Sequence, residues 1–348
     1  MTAESRALKA ATLPPVSVLA PRLVLGITVA TAILWPSLYD PVMSAVYNFL
    51  SKSALYRFSG FETLQTVVCY AAIEVYYTVK FTQSPSRRID VRGPRSTASR
   101  CRRSKFGPNN PRWPRMRRPS RRVSEILTYV TPLLILDFTL IKKYADVSVA
   151  DIRQSGGYGS IGADGGISGS FLRPTVHNFT LASPLQFWRA LPTHAPSSRR
   201  LVTELVLSLL IYDALFFFIH VAFHRVPVLA GFHKPHHRHG EINPQVTNQL
   251  SVAERLSLVL LANFALNIIK SHVLTRSAFI VVFVYLLVEV HSGLDLDWGY
   301  DKVLPTGWGA GARKHAMHHR DGDVGFAPFF CWWDLGLDLL DSILVRVS

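Results

Sequence analysis

Nine of the thirteen histidines lie between residues 220 and 319, in four groups. His220 and His224 form HxxxH. His233, His236 and His237 form HxxHH, with His239 just beyond. His291 stands alone in EVHSGLDLDW, and His315, His318 and His319 form a second HxxHH. Spacings of three and four residues place side chains on one helical face, a turn apart. Each group is therefore expected to present its imidazoles to a common point. Neutral imidazole is the commonest protein metal ligand and suits iron, copper, nickel and zinc. Eight or nine such ligands exceed the needs of one ion and match two. The expected metal set is His220, His224, His233, His236, His237, His291, His315, His318 and His319.

Other metal chemistries fit less well. Neither HVAFH nor HKPHH carries Glu after its first His, so no zincin HExxH is present. Structural zinc takes four ligands and usually cysteine. Cys69, Cys101 and Cys331 are scattered without a CxxC spacing and read as reduced thiols. His239 falls off the repeating pattern and reads as solvated or behind the ligands. His177 and His194 belong to a loop expected on the opposite side, and His272 to a hairpin tip.

The elements that position these groups follow from composition. The chain has 348 residues, 49% of them apolar and 18% charged, with a mean hydropathy of +0.20. An average soluble chain is about 25% charged. General disorder, collagen-like repeats and a disulfide scaffold are excluded. Apolar segments of helical length occur at Leu23–Leu34 (with a continuation past Pro36 and Pro41 to Leu50), Glu62–Val79, Ile126–Ile141, Leu201–Ile219, Leu256–Ile269 and Ala278–Val290. A bilayer crossing wants about 20 such residues. The last two are the weakest as full spans, with Lys270 to Arg276 expected as the tip of a hairpin. The fold class expected is all-α: an integral membrane helical bundle capped by a cytosolic, histidine-rich two-metal site.

Charge sets the topology. Between Arg87 and Arg122 stand fourteen Lys/Arg and one acid, Asp90, against a net charge of +15 for the chain. This Pro- and Ser-containing stretch reads as a disordered cytoplasmic loop attracted to anionic lipid. Nucleic-acid binding is not expected, because no stacking platform or groove-reading helix accompanies the charge. A cytoplasmic basic loop sends Ile126–Ile141 outward and Leu201–Ile219 back, which gathers all four histidine groups on the cytosolic face. The chain divides into membrane helices (1–81), the basic loop (82–124), a membrane segment with a Gly-rich loop (125–200) and a catalytic region (201–348).

From about Asp213 to Asp338 these motifs resemble the fatty acid hydroxylase/sterol desaturase superfamily of membrane di-iron oxygenases. HSGLDLDW, Leu304-Pro305, GAGARKHAMHH and FFCWWDLGLD are most similar to the C4-methylsterol oxidase and cholesterol 25-hydroxylase branch. The resemblance implies two iron ions held by the nine histidines, O2 as cosubstrate and a multi-pass location in the endoplasmic reticulum membrane. It also implies a lipid substrate and electrons from cytochrome b5 with its reductase, or a similar donor, since no HPGG haem segment occurs here. The chain departs from the branch at Leu294, where Tyr is usual, and at Asp297, where Pro is usual. It also lacks the Gly-Thr common around Leu337–Leu339.

Hydroxylating an unactivated C–H bond lies beyond acid–base side chains and calls for a redox metal with O2. An all-imidazole set adds no ligand charge, so carboxylates behind the ligands are expected. Asp213, seven residues before His220 on the same helical face, is the first candidate, with Glu254 and Asp295. Glu289, Asp321, Asp323 and Asp334 are weaker ones. Trp298, Trp308, Phe326, Phe329, Phe330, Trp332 and Trp333 are read as lining a lipid entrance or forming an interfacial aromatic belt. The leading expectation is a lipid monooxygenase acting on a sterol, terpenoid or fatty-acyl compound. Desaturation or aldehyde formation at the same centre, and a non-catalytic zinc-binding membrane protein, remain as alternatives.

Overall fold

The structure is a computed structural model and describes residues 16–89, 123–139, 144–148, 150–151, 155, 185–238 and 242–347. The basic stretch beyond Ile89, most of the Gly-rich loop, His177 and His239 lie outside these residues. Among the described residues every regular element is helical, and extended pairing is confined to isolated bridges such as Arg88–Leu294 and Gly309–Phe330. The main helices are α1 (Val16–Leu34), α2 (Asp40–Lys52), α3 (Phe61–Gln83), α4 (Val123–Thr139) and α5 (Ser198–Arg225). They continue with α6 (Pro227–His233), α7 (Val252–Ile268), α8 (Val273–Val290), α9 (Gly311–Asp321) and α10 (Trp332–Val347).

Three of them, α1, α5 and α8, are long and apolar enough to cross a membrane. At about 1.5 Å per residue, the 28 residues of α5 reach about 42 Å and the 18 of α8 about 27 Å, against a hydrocarbon core of about 30 Å. Leu23, Val24, Ile27 and Leu34 of α1 stay exposed, an apolar outer surface of the kind lipid covers. The protein is thus an all-α membrane bundle.

Two sequence expectations are corrected here. The first apolar run does not continue as one helix: α1 stops at Leu34, a 3-10 turn covers Pro36–Leu38, and α2 starts at Asp40. Proline removes a backbone donor and fixes φ, which breaks the ladder there. The second correction concerns Arg276, expected in a hairpin tip. It lies in the first turn of α8, wholly buried, with its guanidinium Nη2 2.9 Å from Glu62 Oε2. This pairing neutralises the charge that interrupts the apolar pattern and lets α8 reach full spanning length. Arg189 donates to Glu62 as well (3.0 Å), and Arg276 also donates to Asn263 and Asn267.

The helix starts explain why the histidines converge. Glu204 near the start of α5 accepts from the backbone N–H of His272 and from Thr275 at the start of α8, so these two helices run in the same direction. α3 runs with them, since Gln65 near its start donates to Ser277 and the Arg88–Leu294 bridge closes beyond its end. α7 runs the opposite way, with Asn263 and Asn267 near Arg276 and Glu254 at the other end. Tyr212, Phe279, Leu286, Val290 and Phe329 form the packed centre between α5, α7 and α8. The carboxyl ends of α5 and α8 and the amino end of α7 consequently share one end of the bundle. His272 and His194 sit at the other, joined by a 3.0 Å bond from His272 Nε2 to the His194 carbonyl.

After α8 the chain turns at Gly293, whose φ is +67°. A Cβ there would stand 2.1 Å from the Ile242 carbonyl oxygen, so only glycine fits. The adjoining backbone receives the start of the basic stretch: Ile89 N–H donates to the Gly293 carbonyl and Asp295 N–H to the Arg87 carbonyl. Asp297, one of the departures from the family pattern, pairs with Arg87 at 2.6 Å. Leu294, the other, packs with Tyr77 and Phe81 of α3.

Candidate metal centre

The nine histidines come from five short pieces of chain. The last turns of α5 hold His220 and His224, and α6 ends on His233. A 3-10 turn carries His236 and His237, His291 closes α8, and α9 carries His315, His318 and His319. They assemble into two adjacent groups, one of His220, His224, His233, His237 and His318, the other of His236, His291, His315 and His319. Within each group the candidate ligand nitrogens all lie within 4.8 Å of one another. The groups touch where the His237 and His319 rings stack with centroids 4.5 Å apart.

The expectation that each HxxHH converges on one point is therefore corrected. His233 and His237 serve one group and His236 the other; His315 and His319 pair while His318 crosses over. Residues four apart lie side by side on a turn, whereas the one between them points to the neighbouring group.

Hydrogen bonds from the outer ring nitrogens fix the tautomers. His220 Nδ1 donates to the Phe326 carbonyl (2.7 Å), His318 Nδ1 to the Val324 carbonyl (2.8 Å) and His291 Nδ1 to the Leu287 carbonyl (2.7 Å). His233 Nδ1 donates to Glu254 Oε1 (2.6 Å). A carbonyl only accepts, so these Nδ1 atoms carry the proton and Nε2 keeps its lone pair. The Nε2 atoms turn inward: His220 to His233 3.1 Å, His233 to His237 2.9 Å, His236 to His291 3.2 Å and His291 to His315 2.9 Å. With both Nδ1 atoms protonated, the close His220–His233 pair brings two lone pairs together with no proton between them. His224 Nε2 and His318 Nε2 are buried without a protein partner. Each such orphan costs about 1–3 kcal/mol, and a cation among converging lone pairs removes the cost. The residues fit two metal ions.

Electrostatics agree. Burial, reinforced by neighbouring imidazoles, pushes His236, His315, His318 and His319 well below the ordinary imidazole range. Burial likewise holds His233 and His237 down at about 4. All six are neutral near pH 7, the state a metal ligand needs.

Of the predicted carboxylates, Glu254 is the one that reaches an imidazole. Asp213 does not: its Oδ1 accepts from the Phe329 N–H (2.9 Å) and its Oδ2 from Trp333 Nε1 (2.8 Å). The helical face it shares with His220 faces the 326–333 segment that closes over α5. Asp295 is also corrected, since it pairs with Lys302 and Arg313 near the surface. Glu289 accepts from the Tyr300 N–H, and Asp321 pairs with Arg320. Asp334 accepts from the N–H groups of Phe326 and Ala327, and so fixes the carbonyl that orients His220. Three of the four partners of the outer nitrogens are backbone carbonyls, which no side-chain pattern announces.

Among the predicted aromatics, Phe326 and Phe329 are buried while Trp308 is half exposed. Phe326 packs on His220, His224 and His318. A polar opening of about 370 Å³ leads from the first group outward past Phe223, Lys234 and Arg320.

Residues 205–337 match the fatty acid hydroxylase family model. The chain is 36% identical to cholesterol 25-hydroxylase of Mus musculus over 153 residues, 44% of this chain and 51% of that protein. It is 28% identical to a cholesterol 25-hydroxylase-like protein of Danio rerio over 220 residues, 61% of this chain and 85% of the relative. A methylsterol monooxygenase of Aspergillus fumigatus is 28% identical over 148 residues, 40% of this chain and 47% of the relative. The chain spans about half the length of the mammalian relatives it matches. No solved structure matches it. The matched segment holds all nine clustered histidines, with the family's HxxxH and paired HxxHH spacing, and residues 205–337 belong to the fatty acid hydroxylase family.

Proposed function

We propose that the protein is an O2-dependent membrane monooxygenase that hydroxylates a lipid of sterol, terpenoid or fatty-acyl type at a centre of two iron ions. The observation that carries this reading is the pair of adjacent, buried imidazole groups whose lone pairs converge. His220, His224, His233, His237 and His318 would hold one ion, and His236, His291, His315 and His319 the other. The bound metals supply redox chemistry with O2. In the balanced reaction one C–H bond becomes C–OH. The second oxygen atom leaves as water, consuming two electrons and two protons from an external donor.

The chain's own residues prepare the site. The carbonyls of Phe326, Val324 and Leu287 hold the Nδ1 protons outward, and Glu254 holds that of His233. Phe326 and the buried ring faces exclude bulk water. The donor is cytochrome b5 with its reductase, or a protein like it, and the membrane is that of the endoplasmic reticulum with the histidines facing the cytosol. The start of the basic stretch at Arg87–Ile89 supports this orientation, because it leaves the bundle at the same end as His291.

Metal analysis and turnover of the purified protein under 18O2 test the reading. About two irons per chain and one labelled oxygen in the product, both lost on His236→Ala, are expected. Unlabelled unsaturated product identifies a desaturase instead. Iron-reconstituted protein that consumes no O2 with donor and lipids sinks the oxygenase assignment.

A further inference from the structure

A second cavity, separate from the polar opening, lies inside the bundle among α3, α4, α5, α7 and α8, with a volume of about 450 Å³. That size falls within the usual range for small-molecule sites. Leu133, Leu136, Leu260, Leu261, Phe279 and Phe283 form much of its wall. Its polar residues gather at one end, where Thr63 donates to Asp137 Oδ2 at 2.6 Å, both side chains buried. Glu62, Asn263 and Asn267 lie at the same end and are engaged by Arg276. This is the end away from the histidines, because Arg276 and His291 are separated by fifteen residues, about 22 Å of helix.

The opposite end of the cavity contains Ile219, the residue before His220, and Ser257, one turn beyond Glu254. Along α7 the lining runs from Ser257 to Asn267, about 15 Å. The chamber is therefore long, apolar along its walls, polar at the far end and apolar where it nears the metal centre.

The chemistry of the polar end selects the head group. Among the described residues that line the cavity there is no Lys, Arg or His, whereas two carboxylates, Glu62 and Asp137, are present. An anionic head, such as a fatty-acid carboxylate or a phosphate, would face like charge in a low-dielectric space. A hydroxyl donates to a carboxylate at no such cost, and a carboxylate has lone-pair sites for more than one donor.

We infer that this cavity seats an elongated, uncharged lipid bearing one hydroxyl, with that hydroxyl at Asp137 and Thr63 and the remote end against Ile219. The lipid then offers its apolar end, and not the carbons beside its hydroxyl, to the histidine centre. The seating stands on the cavity alone; the position of oxidation rests on the monooxygenase reading given above.

The test uses the full chain in lipid nanodiscs. Equilibrium binding is measured for radiolabelled cholesterol, for its 3-deoxy counterpart cholest-5-ene and for oleate. Cholesterol is expected to bind at least about fivefold more tightly than the deoxy compound, the value of one hydrogen bond, and more tightly than oleate. Thr63→Val and Asp137→Asn are expected to bring the hydroxyl preference below about twofold. Ala262→Phe, which fills the chamber, is expected to abolish binding while metal content and melting temperature stay near those of the parent. Should Asp137→Asn not fold, Thr63→Val and Ala262→Phe carry the test. Equal affinity for cholesterol and cholest-5-ene, or binding indifferent to Ala262→Phe, overturns the seating. With active enzyme, new oxygen at the end remote from the hydroxyl supports the orientation, and oxygen on a carbon next to the hydroxyl overturns it. Cavity-dependent binding without any turnover supports the seating and counts against the monooxygenase reading alone.

Discussion

His233 Nδ1 stands 2.6 Å from Glu254 Oε1, with both side chains almost wholly buried. The acid occupies the first turn of α7, where the Ser251 side chain accepts from the Glu254 N–H and the helix amino end favours negative charge. It thus brings an anion to an otherwise neutral ligand set, fixes the ring of His233 and keeps its Nε2 unprotonated toward His220 and His237.

Removing that carboxylate should loosen one metal group. Partners that orient a ligand imidazole typically matter about 10–100-fold in metal affinity. Glu254→Ala is expected to lose affinity in that range, and Glu254→Gln less, because the amide oxygen still accepts from Nδ1. Competition with a chromogenic chelator reads the effect, and parental affinity in both variants would reject the role.

The division of each HxxHH predicts that neighbouring histidines empty different sites. His236→Ala should weaken retention in the group of His291, His315 and His319, and His237→Ala in the group of His220, His224, His233 and His318. Elemental analysis combined with iron spectroscopy should therefore show two distinct residual signals. Identical residual spectra in the two variants would contradict the division.

Gly293→Ala should destabilise the turn after His291. A positive φ costs a non-glycine residue about 1–3 kcal/mol, and the new Cβ would also meet the Ile242 carbonyl. Lower melting temperature and reduced metal retention are expected together. A parental melting curve would show that the turn tolerates a side chain.

Arg276→Met removes the wholly buried partner of Glu62 and leaves that carboxylate with Arg189. Breaking a buried pair from one side typically costs about 3–5 kcal/mol. Thermal denaturation in detergent should register a loss of this order, with Arg276→Lys intermediate because it keeps the charge but not the two-pronged contact. A change under about 1 kcal/mol would mean the charges rearrange freely.

Metal-free protein should weaken in acid. In the folded chain His233 and His237 titrate at about 4, while an unfolded imidazole titrates near 6.5. Between these values the unfolded state binds more protons, so stability falls as pH drops from about 6.5 toward 4 and is complete above that window. Melting temperatures of chelator-treated protein across pH 4–7 should trace this slope. A flat profile would argue that the rings are solvated.

The sequence by itself determined the class of fold and the chemistry on offer. Long apolar runs leave no alternative to helices in a bilayer, because backbone groups there must bond within their own segment. Histidine spacings of three and four residues likewise specify which imidazoles neighbour one another along a turn. Glu254 was legible as a candidate through its place near the histidine end of an apolar helix. Tertiary structure decided the rest. It split both HxxHH motifs between two groups, turned Asp213 toward Phe329 and Trp333 over 116 residues of sequence separation, and hid Arg276 against Glu62 across 214. It also placed the carbonyls of Phe326, Val324 and Leu287 behind the ligands. Those outcomes depend on which helix faces pack together, and a backbone carbonyl has the same chemistry in every residue, so local pattern carries no record of them.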